Sequence, residues 1–195
     1  VLVYDRALSE EQLDQAEQYL AQKWGVTLAD DNPFDPTNGL VAHYPFDGNA
    51  SDMSGNGLDG NVSGATLTLD RHGTAGKAYS FDGVDDFIDM GDKAAFDGRT
   101  NQSIFLWVNP LSFGGTSISS HPIISKFYST PFWGKTSYLV HETNGVLRVG
   151  FSNGSSWDEQ NISHGFDLYS WHHLGIVFAQ GELKVFSNGN KIHQS

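Results

Sequence analysis

The sequence predicts an all-β chain: an antiparallel β-sandwich, or jelly roll, with one N-terminal amphipathic helix. Three observations predict it. From Leu40 onward, short runs of β-branched and aromatic residues recur, each bounded by Gly, Asn or Asp. Asn144-Gly145 and Asn188-Gly189 fall between such runs, and this pair favours the two-residue hairpin turn with positive φ at both positions. The composition agrees, because 22 Gly, 13% aromatic and only 17% charged residues suit tight turns and aromatic packing better than helices.

The elements follow in order. Val1 to Tyr4 is a short β-branched run. Ser9 stands three residues before Gln12 in the manner of a capping box, and Leu13, Ala16, Tyr19, Leu20 and Trp24 recur at helical spacing up to Gly25, which supplies a left-handed cap. Residues 30–38 are dense in Asp, Asn and Pro and read as a linker. Strands are then expected at Leu40 to Phe46, Lys77 to Phe81, Phe87 to Met90, Gln102 to Val108, Ile123 to Phe127, Ser137 to His141, Leu147 to Ser152, Trp171 to Phe178 and Leu183 to Phe186. Asp47 to Gly60 and Ser155 to Gln160 are expected as polar loops. Trp107 and Trp171 lie within strand patterns and are expected in the core.

Charge narrows the partners. With 11 Lys+Arg against 23 Asp+Glu in 195 residues, the formal net charge is -12, which repels a phosphate backbone and disfavours both nucleic acid and a polybasic membrane anchor. No apolar run approaches the roughly 18 residues of a membrane span, so membrane insertion is not expected. Zero cysteines exclude a disulfide scaffold. No basic and apolar leader follows Val1, so a secretion signal is expected upstream.

Six motifs in order carry a resemblance. Gly39-Leu-Val-Ala-His-Tyr-Pro-Phe-Asp47, Asp52-Met-Ser-Gly-Asn-Gly57, Ala78-Tyr-Ser-Phe-Asp-Gly-Val-Asp-Asp-Phe-Ile88, Trp107-Val-Asn-Pro110, Ile124-Ser-Lys126 and Trp171-His-His173 resemble the laminin G-like family, in its pentraxin-like, concanavalin A-like lectin branch. The resemblance covers residues 39–195. It implies two curved antiparallel sheets and a place in a long secreted or cell-surface protein of bacterial type, beside neighbouring modules of the same polypeptide. Residues 1–29 resemble the closing strand and trailing helix of such a module, while 39–195 lack the last strands. Two arrangements fit: the tail of one module joined to most of the next, or a split module in which Val1 to Tyr4 docks into this sheet. A sandwich without closing strands would expose open edges.

Candidate ligands are oxygen-rich. Asp82-Gly83-Val84-Asp85-Asp86 sets carboxylates around a Gly turn, suited to the oxygen coordination of calcium, and the resemblance implies that Asp85 and Asp86 ligate it. The other possibility is that Asp82 and Asp85 cap a hairpin turn. Asp52 and Asn56, in the loop from Asp47 to Gly60, form a second candidate set, or a plain polar turn; the loop lacks the Gly and Glu of an EF-hand. Phe132, Trp133 and Trp157 are loop aromatics that would stack on a sugar ring, with Asp158 fixing hydroxyls, or else plug the end of the sandwich.

His172 and His173 are adjacent, so on a strand they face opposite sides and cannot jointly hold a metal. No zinc spacing occurs among the histidines. Retaining glycosidases place paired carboxylates about 5 Å apart on one cleft; Glu142, Glu159 and Glu182 are not so spaced, and no nucleophile elbow or phosphate loop occurs. The expectation is a non-catalytic, calcium-assisted module that adheres to glycans. A spacer contacting a cell-surface protein, or an accessory domain of a polysaccharide-active enzyme, are the alternatives.

Overall fold

The structure, a computed structural model, describes residues 2–5, 7–9, 12, 16, 38–97, 101–113, 122–126, 138–152 and 157–195. Its strands are β1 (Leu2–Tyr4), β2 (Leu40–His43), β3 (Asn61–Ser63), β4 (Thr66–Leu69), β5 (Ala75–Ser80), β6 (Phe87–Asp89) and β7 (Asn101–Val108). They continue with β8 (Pro122–Lys126), β9 (Tyr138–Thr143), β10 (Val146–Ser152), β11 (Trp157–Ser163), β12 (His172–Ala179), β13 (Glu182–Ser187) and β14 (Asn190–Gln194). A six-stranded sheet runs β14-β13-β12-β7-β1-β2, a four-stranded sheet runs β11-β10-β9-β8, and two ribbons pair β3 with β6 and β4 with β5. Every pairing among these strands is antiparallel.

The two larger sheets enclose one apolar core. Val3, Val41, Ile104, Leu106, Leu174, Ile176 and Val185 from the first meet Val140, Leu147, Val149 and Ile162 from the second. Each such side chain, fully buried, stabilises the fold by about 1.5–3 kcal/mol before the entropic cost of ordering it. Both Asn-Gly pairs form the hairpins their sequence favours, with φ of 51° and 81° at Asn144 and Gly145 and 49° and 80° at Asn188 and Gly189.

The N-terminal strand β1 is part of the six-stranded sheet. β1 lies between β7 and β2, with Val3 opposite Ile104 on one side and Ala42 on the other. On the outer face of that sheet, Tyr4 packs edge-on against Phe105 at 6.1 Å, and Leu8, Ala16 and Val177 complete a second apolar cluster. The capping box forms reciprocally: the Ser9 N–H donates to Gln12 Oε1 at 3.0 Å and the Gln12 N–H to Ser9 Oγ at 3.1 Å. Gln12 and Ala16 are helical. The rest of the expected helix and, apart from Asn38, the expected linker fall outside the described residues.

Two expectations need correction. Trp157 to Gln160 is not loop but the first half of β11, paired with β10 from Ser152↔Trp157 to Val146↔Ser163. Its Asp, Glu, Gln and Asn have low strand propensity, and cross-strand pairing together with the burial of Ile162 overrides it. Trp107 is not core: it sits on the outer face of β7, 38% exposed, with the Arg71 guanidinium carbon 4.4 Å from its ring centroid and the His173 ring 5.1 Å away. His172 turns the other way, stacked on Phe166 at 4.6 Å. Trp171 is half-buried.

Candidate functional site

Two acid-rich loops and one sheet face hold the candidate residues. The loop from Asp47 to Gly60 is built around Asp52. Its Oδ1 accepts the N–H groups of His43 at 3.0 Å and Ser54 at 2.9 Å, and its Oδ2 accepts the Ser54 hydroxyl at 2.8 Å and the Leu58 N–H at 3.1 Å. Burial works to raise the Asp52 pKa, but these hydrogen bonds outweigh it and hold the carboxyl below its ordinary range. Asn56 donates through Nδ2 to the carbonyls of Leu40 at 3.0 Å and Val41 at 2.8 Å. The Met53 N–H donates to the His43 carbonyl at 2.8 Å. Asp52 and Asn56 thus fasten this loop along β2, the edge strand of the six-stranded sheet, and cover an otherwise open ladder.

The second loop joins β5 to β6. Asp82 Oδ1 accepts the Val84 N–H at 2.8 Å, and Asp86 Oδ2 accepts the Asp82 N–H at 2.9 Å, closing a tight turn with Gly83 at φ 77°. One carboxylate oxygen from each of Asp82, Asp85 and Asp86 lies within 4.8 Å of the other two. Oxygens bound to one calcium at about 2.3–2.6 Å lie at most about 5 Å apart, so the spacing fits that ion. Asp52 is not part of this group. Gly64, between β3 and β4 at φ 75°, admits the approach of Asp86, because a Cβ there would collide with Asp86 Oδ1. Phe81, Val84 and Phe87 flank the carboxylates and are exposed.

The third feature is the outer face of the four-stranded sheet. Residues paired across antiparallel strands share a face, so Arg148 of β10 lies with His141 of β9 and Asn161 of β11, and Gly150 lies with Leu139 and Glu159. The Trp157 ring is laid over Gly150: a Cβ at Gly150 would come 2.7 Å from indole Cε2. Glycine is therefore what leaves room for the ring at this position. Beside it, Arg148 Nη1 donates to Glu159 Oε1 at 3.3 Å, and Glu159 Oε2 stands 3.9 Å from His141 Nε2. His141 is fully buried, and burial, opposed by Glu159, keeps its imidazole below the usual histidine range.

At 22% identity and a TM-score of 0.58, the fold is similar to domain 4 of AbnA, a GH43 extracellular arabinanase from Geobacillus stearothermophilus, solved in complex with arabinotriose; the match covers 80% of this chain and 74% of that chain. No protein-family model and no curated protein sequence matches the chain.

Strand alternation separates the expected sugar contacts. Trp157 and Asp158 are neighbours on β11, so they face opposite sides, and the exposed Asp158 accepts a hydrogen bond from Gln160 at 3.0 Å instead. Phe132 and Trp133 lie outside the described residues. Sequence reasoning missed that Arg148, Glu159 and Asn161 share a sheet face with Trp157. The alternation Trp157-x-Glu159-x-Asn161 would have revealed them had the segment been taken as a strand.

Proposed function

We propose that this chain is a non-catalytic, calcium-assisted glycan-binding module of laminin G-like type, displayed on or secreted from a bacterial cell as part of a larger polypeptide. The observation that carries the proposal is the Trp157 ring packed against Gly150 on the same sheet face as the Arg148–Glu159 pair. An indole held in this way stacks on the apolar face of a sugar, while an ion-paired carboxylate accepts its hydroxyl hydrogens. The shared fold with an arabinotriose-bound domain supports the same assignment. Glu142, opposite Leu147 on the core side, and Glu159, opposite Gly150 on the outer side, face away from each other, and so do not form the carboxylate pair of a glycosidase.

Asp82, Asp85 and Asp86 are the residues that would hold calcium, with further oxygens coming from solvent or backbone. A bound cation would neutralise the mutual repulsion of the three carboxylates and stiffen the β5–β6 turn. Adhesion to surface glycans follows as the role.

A glycan array probed with the calcium-loaded chain, followed by titration calorimetry of the best hit against Trp157→Ala, tests the proposal. Saturable binding that falls about tenfold or more in the variant is expected. A blank array would instead favour a protein-contact spacer, for which the exposed Phe81, Val84 and Phe87 offer an apolar surface.

A further inference from the structure

The end of the sandwich where the chain crosses from β11 to β12, and so from one large sheet to the other, is closed by a file of rings. Phe113 lies 5.5 Å from His164, His164 4.3 Å from Phe166, and Phe166 4.6 Å from His172, centroid to centroid. All but Phe113 are buried, and Phe166 belongs to the main core. A plug lined with histidine stays apolar only while its imidazoles are neutral.

The hydrogen bonds assign the proton on His164. Gly165, at φ 64°, turns the chain so that the Phe166 N–H donates to His164 Nδ1 at 2.8 Å. Nδ1 is therefore the bare nitrogen of a neutral ring, and the proton sits on Nε2. Nε2 is buried with no hydrogen-bond partner, 3.8 Å from Glu142 Oε1, an oxygen that accepts the Gly145 N–H. His172 is held differently, with Nε2 3.0 Å from the Asp167 carbonyl and Nδ1 3.4 Å from Asn188 Nδ2. A second proton on His164 has only Nδ1 to go to. There it would face the Phe166 N–H, donor against donor, and the bond that holds the turn would be lost.

We propose that His164 is a proton-sensitive latch: neutral, it ties down the β11–β12 crossover by accepting the Phe166 N–H; protonated, it releases that turn and loosens Phe166 in the end of the core. Burial holds the His164 imidazole below the usual histidine range, with Glu142 of β9 opposing the shift and His172 of β12 adding to it. The folded chain thus binds fewer protons than the opened one as pH falls through the unfolded value near 6.5, and the closed form is favoured less, by up to about tenfold per pH unit. His141 shifts in the same direction, so a variant is needed to isolate the share of His164.

Hydrogen exchange of the intact chain, read by NMR at the Phe166 amide at about pH 7.5 and about pH 5, tests this against His164→Asn, whose side-chain oxygen replaces Nδ1 as acceptor and does not titrate. The Phe166 protection factor should fall about tenfold or more at the lower pH in the native chain and by much less in the variant. In urea titrations the unfolding equilibrium constant should rise over the same interval about tenfold more for the native chain than for the variant. Equal protection at both pH values, or an equal fall in the variant, would overturn the latch. Should circular dichroism show that the variant does not fold, the native profile decides: a fall in Phe166 protection that begins near pH 6.5 supports the latch, and one that begins only below about pH 5, where carboxylates titrate, overturns it.

Discussion

The loop from Asp47 to Gly60 and the turn from Phe81 to Phe87 are alike in their wealth of Asp and differ in how far their carboxylates are surrounded by the protein's own donors. Each is rich in Asp and Gly and free of periodicity. In the first, every donor that reaches Asp52 comes from the protein: three backbone N–H groups and one hydroxyl fill its carboxylate and fasten the loop to β2. In the second, Asp82, Asp85 and Asp86 crowd within 4.8 Å, and Asp82 and Asp85 are exposed. Acidic residues in a loop are thus poor evidence for a metal until the local N–H donors have been placed, because those donors can satisfy a carboxylate as fully as a cation does.

Removing the filled carboxylate should have the largest effect. Asp52→Ala strands the N–H groups of His43, Ser54 and Leu58, and should lower unfolding stability by roughly 2–4 kcal/mol in urea titrations, as such orphaned buried donors usually do. The pH dependence sharpens the same point. The Asp52 pKa is depressed on folding, so its contribution is present above its unfolded pKa, near 4, and lost as pH falls through the lower folded value. The stability gap between the native chain and Asp52→Asn should therefore stay constant from neutral pH down to about pH 4 and close only below that.

Gly64→Ala comes next, at roughly 1–3 kcal/mol, since it puts a side chain at φ 75° and drives it into Asp86. It should also abolish any calcium response, although all three acids remain. Calcium at tenfold over its dissociation constant should stabilise the native chain by about 1.4 kcal/mol in thermal melts and leave an Asp85→Asn, Asp86→Asn double variant unmoved. Without calcium that variant should differ from the native chain by about 0.5 kcal/mol or less, on the favourable side, because it relieves like-charge crowding. If it costs as much as Asp52→Ala, the contrast between the two loops collapses.

What the chain revealed before folding was mostly local. Asn144-Gly145 and Asn188-Gly189 specify their own turns, and Ser9 and Gln12 their own cap, because partners a few residues apart suffice. The position of β1 was not legible, since whether Val3 meets Ile104 depends on a pairing across most of the domain. β11 was missed because its polar residues favour a loop in isolation and become a strand only beside β10. For the same reason Trp157 is expected in a loop, while its place over Gly150 on the same sheet face as the Arg148–Glu159 pair could not be read. The role of Asp52 was hidden too, because a carboxylate's partners are invisible until the backbone that donates to it is in place.

The placement of β1 has a kinetic consequence. It is made before β2 and long before β7, yet it is hydrogen-bonded to both, so the six-stranded sheet closes only after a large loop has been brought together. Until then β7 presents a bare, apolar ladder, open to pairing with another chain. Refolding should be slow and concentration-sensitive, and an added peptide matching Val1 to Leu8 would occupy that gap and compete with self-association. The three residues of β1 thus help determine whether the protein folds alone or captures a stranger's strand.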